Sequence, residues 1–152
     1  MSIQHEDADR LLENLRKTYL DELRSTYSPA VIQHFSTPHN QEQMDNPDAG
    51  AQYTGPCGET MNISLKIKDD RIEKVTFLTD GCGTAVACGS MVTVLATGKN
   101  LKEACEIDQE KILEELGGLP EQERHCALLA ATTLHKALED YLPNSREDDT
   151  NK

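Results

Sequence analysis

The chain predicts an α+β fold: a small antiparallel β-sheet of about three strands packed against several helices, with an extra amphipathic helix at the N-terminus. Three observations carry this expectation. Thr60–Lys68 and Ile72–Thr79 alternate apolar and polar residues around Asp69-Asp70, the pattern of a hairpin with one core face and one wet face. Segments on both sides of that hairpin repeat their apolar residues every three or four positions, the period of a helix. Strands and helices are grouped rather than alternating, which argues against a parallel sheet built from βαβ units.

The elements follow in order. Residues 1–8 are polar and acidic and are expected to be disordered. Over Asp9–Thr26, Leu11, Leu12, Leu15, Tyr19, Leu20 and Leu23 fall at helical spacing with charges between them. That leucine face should pack either on its own domain or on a second copy, giving a homodimer. Ser28 before Pro29 reads as an N-cap with proline at the first helical position, opening a short helix that carries Val31, Ile32 and Phe35 and ends before Pro38. Pro38, Pro47 and Pro56, with Gly50, Gly55 and several Asn and Asp, mark a mostly loop region holding a short edge strand at Ala49–Thr54.

In the hairpin, Met61, Ile63, Leu65, Ile67, Val75 and Phe77 should face the core. Gly81-Cys82-Gly83 ends its second strand. The run to Thr97 is small and apolar nearly all round, so it predicts a buried helix stopped by Gly98. Leu101–Leu116 is acidic and amphipathic and reads as two short helices, followed by a loop at 117–120. Cys126–Leu142 predicts a helix with Leu128, Leu129, Ala131, Leu134, Leu138 and Tyr141 mostly inward, ended by Pro143, and then a disordered polar tail. The organisation is therefore an N-terminal extension (1–26), one domain (27–142) and a tail (143–152).

Composition narrows the partners. The chain has 27 acidic against 15 basic residues, a net charge of −12, so nucleic acid and anionic membrane surfaces would repel it. A basic protein partner suits it better. No apolar run approaches the roughly 20 residues that span a bilayer, and the first ten residues are not those of a signal peptide. Five cysteines cannot form a complete disulfide framework, and a reducing cytoplasm is the expected compartment.

Three of those cysteines share an unusual setting: Pro56-Cys57-Gly58-Glu59, Gly81-Cys82-Gly83 and His125-Cys126. Thiolate, imidazole and carboxylate are the ligands that hold zinc and iron–sulfur clusters. The three segments are far apart and lack the Cys-x-x-Cys pairs of a zinc finger, so a common site can close only in the folded chain. Gly58 leaves room for a bulky inorganic group beside the backbone. Cys82 and Cys126 each sit at a predicted helix start, where free N–H groups and the helix dipole favour a thiolate. Cys88 and Cys105 read as packing residues, Cys88 keeping the stronger residual claim because it is under two turns from Cys82. The acidic run 101–124 reads as a solvated face.

Tyr27-Ser28-Pro29-Ala30-Val31-Ile32-Gln33-His34-Phe35, Pro38-His39-Asn40 and Met44-Asp45-Asn46, together with the three cysteine motifs in this order, resemble the IscU/NifU-type iron–sulfur cluster assembly scaffolds. The resemblance covers about residues 27–142. It implies a domain that takes sulfur from a cysteine desulfurase, builds a [2Fe–2S] cluster on three cysteines, and passes it to apo iron–sulfur recipient proteins. By motif, the ligands would be Cys57, Cys82 and Cys126, with His125 or Glu59 near the fourth position and Cys126 the candidate sulfur acceptor. The implied role is a scaffold rather than an enzyme.

The chain departs from the family pattern in places. Glu59 stands where aspartate is usual, and Cys88 where serine is common. The Leu-Pro-Pro-Val-Lys segment that recruits a dedicated Hsp70 chaperone is here Leu119-Pro120-Glu121-Gln122-Glu123, which argues against that contact. The zinc-binding SufU-type sulfur acceptors are the near rival; they carry an insertion before the last cysteine and lack the His-Cys pair. A thiol redox enzyme, with Cys82 reactive and Cys126 resolving, is a more distant alternative that the absence of Cys-x-x-Cys disfavours.

Overall fold

The structure is a computed structural model that describes residues 5–150, with side chains described from residue 7 to residue 142. Its elements are α1 (His5–Thr26), α2 (Pro29–Ser36), β1 (Ala49–Thr54), β2 (Thr60–Lys68), β3 (Arg71–Thr79), α3 (Gly83–Ala96), α4 (Leu101–Cys105), α5 (Gln109–Leu116), a 3₁₀ turn (Glu121–Glu123) and α6 (His125–Thr150). The strands form one antiparallel sheet in the order β1-β2-β3. The α+β expectation holds.

The alternating side chains of β2 explain the layering. Met61, Ile63 and Leu65 are fully buried, as are Ile72, Val75 and Phe77 of β3, and α3 and α6 pack on that face. Pairing is regular from Met61↔Thr79 to Lys66↔Lys74, then shifts at Lys66/Ile67, which leaves Ile67 at the margin of the core. α3 fits between sheet and helices because it is small: Ala85, Ala87, Cys88, Ser90, Val92 and Ala96 are all fully buried. Ser28 caps α2 by accepting from the Val31 N–H at 3.1 Å, with Pro29 behind it, as the sequence predicts.

Five expectations are corrected. Residues 5–8 are helical rather than disordered, with Asp7 and Asp9 suiting the positive end of α1; residues 1–4 lie outside the described residues. α6 continues through Pro143 to Thr150, because a proline removes one hydrogen bond without having to end a helix; residues 151–152 of the expected tail lie outside the described residues. The hairpin's outer face is not wholly wet: Thr76 is buried, since residues 40–44 run over β3, where Phe77 N–H donates to the Asn40 carbonyl at 3.0 Å and Met44 is buried. Leu128 is half exposed instead of inward. Cys105 is exposed, because five-residue α4 buries only Ala104.

α1 splits its apolar face. Leu23 borders a cleft with Tyr27, Val31 and Phe35, whereas Tyr19 at the edge of that cleft and Leu11, Leu12 and Leu15 beyond it are more than half exposed. Packing of the whole leucine face on its own domain is therefore not what occurs. At 22 residues the helix is about 33 Å long, and only its C-terminal part meets the domain.

Candidate metal centre

Three chain segments meet at one end of the sheet. The β1–β2 connection carries Cys57 and Glu59, the β3–α3 junction carries Cys82, and the start of α6 carries His125 and Cys126. The first is a tight turn: Gly58 N–H donates to the Gly55 carbonyl at 2.9 Å and Gly55 N–H to the Glu59 carbonyl at 2.8 Å. Gly58 has φ +88°, so its glycine answers a left-handed backbone as well as leaving open space above it. Cys57 projects from the turn and is exposed, and Glu59 is directed back toward α6.

Cys82 is the N-cap of α3, with extended backbone (φ −70°, ψ 179°), and is exposed. The glycines beside it are explained by packing. A Cβ on Gly83 would fall 2.3 Å from the Phe35 ring. One on Gly81 would fall 2.7 Å from Ala85 Cβ and 3.2 Å from the Glu59 carboxylate. Gly81 thus lets Glu59 lie against the Cys82 turn, and Gly83 lets α2 close on α3.

Cys126 is fully buried near the start of α6. Its thiol faces Glu59 Oε2 at 3.7 Å and His125 Nε2 at 3.7 Å. The ligand atoms of Glu59, His125 and Cys126 all lie within 4.8 Å of one another. Ligands at 2.0–2.3 Å around a tetrahedral ion stand about 3.3–3.8 Å apart. Both distances to sulfur fit that figure, and the carboxylate and imidazole, within 4.8 Å of each other, complete a donor set of the kind that holds a metal ion. Cys57 shares a cleft of about 140 Å³ with Glu59, His125, Tyr53 and the exposed Leu128.

Burial dominates the electrostatics here. The Cys126 thiol is pushed far above its ordinary value, first by desolvation and then by the neighbouring Cys88, Cys82 and Glu59 side chains, with a hydrogen bond to Cys82 adding to the effect. The expected stabilisation of a Cys126 thiolate by the helix start is thereby overridden. A bound cation would supply the compensating charge, since a coordinating thiol is deprotonated outright. Cys88 is buried too, its thiol raised first by desolvation and then by Cys82, Glu59 and Glu123. It packs in the core, as expected, and lies close enough to the centre to feel its charges.

Glu59, His125 and Cys126 are thus grouped within 4.8 Å, Cys57 stands on the rim of their cleft, and Cys82 stands at the neighbouring helix start, near enough to influence the Cys126 thiol. Sequence reasoning missed one neighbour. Glu123, assigned to a solvated acidic face, accepts hydrogen bonds from Tyr27 and Thr84 beside Cys82. A contact across 96 residues leaves no local sequence signal.

Comparison with known proteins places these features in company. The NifU-like N terminal domain family matches residues 26–148. The iron–sulfur cluster assembly scaffold protein IscU 1 of Archaeoglobus fulgidus is 43% identical over 116 residues, covering 76% of this chain and 76% of its own length. The IscU scaffold protein of Escherichia coli is 40% identical over 120 residues, covering 76% of this chain and 93% of that one. Among solved structures, a scaffold protein proposed for the SUF system of Fervidobacterium islandicum has the same fold, with TM-score 0.61 at 20% identity over 74% of this chain and 96% of that one.

Proposed function

We propose that this chain, which belongs to the NifU-like N-terminal domain family of IscU/NifU-type scaffolds, assembles a [2Fe–2S] cluster as cargo and hands it on rather than keeping it. The observation that carries the reading is the grouping of Glu59, His125 and Cys126 within 4.8 Å, at the end of the sheet where Cys57 and Cys82 also lie. Iron–sulfur cluster assembly is named for the relatives at 40–43% identity. The finer assignment, in which Cys57, Cys82 and Cys126 supply three thiolates, rests on their motifs and placement.

Each residue has a separable task in this account. The thiolates bind iron strongly, while Glu59 or His125 supplies a harder fourth ligand that exchanges more readily. That position is the release point. Exposed Cys57 and Cys82 can be approached by a partner as they stand. Cys126, the candidate sulfur acceptor, is buried, so sulfur delivery by a cysteine desulfurase requires the site to open around it. The net charge of −12 suits basic contact surfaces on a desulfurase and on recipient apo-proteins. Among the described residues no helix is long and apolar enough to cross a membrane. We place the activity in the cytoplasm, on the free cysteines.

The test is cluster transfer to an apo-acceptor followed by circular dichroism. Replacing any one of the three cysteines by serine should abolish a stable cluster. Glu59→Ala should leave assembly intact and change the transfer rate several-fold, with Glu59→Asp closer to the parent. Equal transfer rates for the parent and both Glu59 variants would remove Glu59 from the mechanism.

A further inference from the structure

The Glu123 carboxylate joins three parts of the chain. Its Oε1 accepts from the Tyr27 phenol at 2.7 Å and from the Thr84 hydroxyl at 2.9 Å, and its Oε2 lies 2.8 Å from the same phenol. Tyr27 links α1 to α2. Thr84 is in the first turn of α3, two residues after Cys82. Glu123 closes the 3₁₀ turn three residues before Cys126. None of the ion pairs among the described residues involves Glu123, so two hydroxyls take the place a lysine or arginine would fill. Cys82 itself makes no side-chain capping bond, and its thiol is exposed. Among the described residues, the one side-chain hydrogen bond tying the first turn of α3 to the segment before α6 is that from Thr84 to this carboxylate.

We propose that Glu123 is a positioning residue: its clamp on Thr84 and Tyr27 sets the placement of Cys82 relative to Cys126, so that both thiols meet one metal ion. The inference rests on the metal-centre reading above and adds a residue to it. Charge-assisted hydrogen bonds to a carboxylate are short and directional, which suits them to fixing a helix start. Partners beyond the ligands themselves commonly shift metal affinity about 10–100-fold. The carboxylate also does what the family's lysine at this point in the Leu-Pro segment could not do, because hydroxyl donors need an acceptor.

Cobalt(II) titration of the full-length apo-protein, read by thiolate-to-cobalt charge-transfer absorption, tests this without any cluster. The parent should show the band intensity of three thiolates. Glu123→Ala should bind cobalt about tenfold more weakly and lose about a third of that intensity, as expected when one outer partner fails and one thiolate drops away. Glu123→Gln should fall between, because its amide oxygen still accepts, and Tyr27→Phe should lose part of the effect through the phenol alone. If Glu123→Ala does not fold, Glu123→Gln and Tyr27→Phe decide the matter by the same readout. Parent-like affinity and band intensity in folded variants, even with a lower melting temperature, would overturn the clamp. A parent protein without a three-thiolate band would instead overturn the metal-centre reading beneath it.

Discussion

Cys126 and Cys82 begin two helices that flank the same centre, yet one thiol is buried and the other exposed. Cys126 sits on a long helix packed against the sheet, with Glu59 and His125 at 3.7 Å. Cys82 and Cys57 sit at a junction and in a turn, facing outward. Helix position alone therefore does not decide a cysteine's chemistry; desolvation decides it. The buried half of the site offers a nearly assembled donor set, and the exposed half offers access. A protein that must both hold and release its cargo needs the two properties on different segments.

That contrast can be sharpened by thiol labelling of the metal-free protein. Cys57 and Cys82 should alkylate at least about a hundredfold faster than Cys126 and Cys88, the factor that about 3 kcal/mol of local opening imposes. Comparable rates, read by mass spectrometry of labelled peptides, would mean that the buried half opens freely. A smaller effect is expected from Gly83→Ala, whose new methyl would fall 2.3 Å from the Phe35 ring. Overpacking of this kind costs about 1–3 kcal/mol, or several degrees of melting temperature in a chain of this size, and it should loosen Cys82 more than Cys126. A parent-like melt would show that α2 simply moves aside. The smallest effect belongs to α1. Replacing Leu11, Leu12 and Leu15 together by glutamine should change monomer stability by no more than about 0.5 kcal/mol per site, since these side chains are already exposed. Sedimentation of the same variant decides whether a second copy covers that face: a parent dimer lost on substitution supports it, and an unchanged monomer removes it.

Much of the fold was legible because it rests on local signals. The β2–β3 alternation, the Ser28-Pro29 cap, the all-round apolar α3 and the Gly98 stop each carry their instruction within a few residues. At Thr76 expectation failed because of a nonlocal contact. Thr76 is buried by residues 40–44, which lie more than thirty positions earlier in the chain. Pro143 reads as a stop, but α6 passes through it. At the candidate centre, the cysteine motifs and Glu59 and His125 stood out by composition. Glu123 did not, because its partners Tyr27 and Thr84 are brought to it only by folding. The reasons for Gly81 and Gly83 were equally hidden: they admit Glu59 and Phe35, side chains from other segments.

On this reading the centre receives iron and sulfur as cargo on three thiolates. It is tested by visible absorption together with iron, sulfide and zinc analysis of protein purified without oxygen and incubated with a cysteine desulfurase, cysteine, ferrous iron and a dithiol reductant that brings the delivered sulfur to sulfide. Charge-transfer bands and equal amounts of iron and acid-labile sulfide are expected, lost together in Cys57→Ser, Cys82→Ser and Cys126→Ser. Stoichiometric zinc that iron does not displace, with no labile sulfide and no visible bands, would contradict it and mark the chain as a zinc-bound sulfur acceptor.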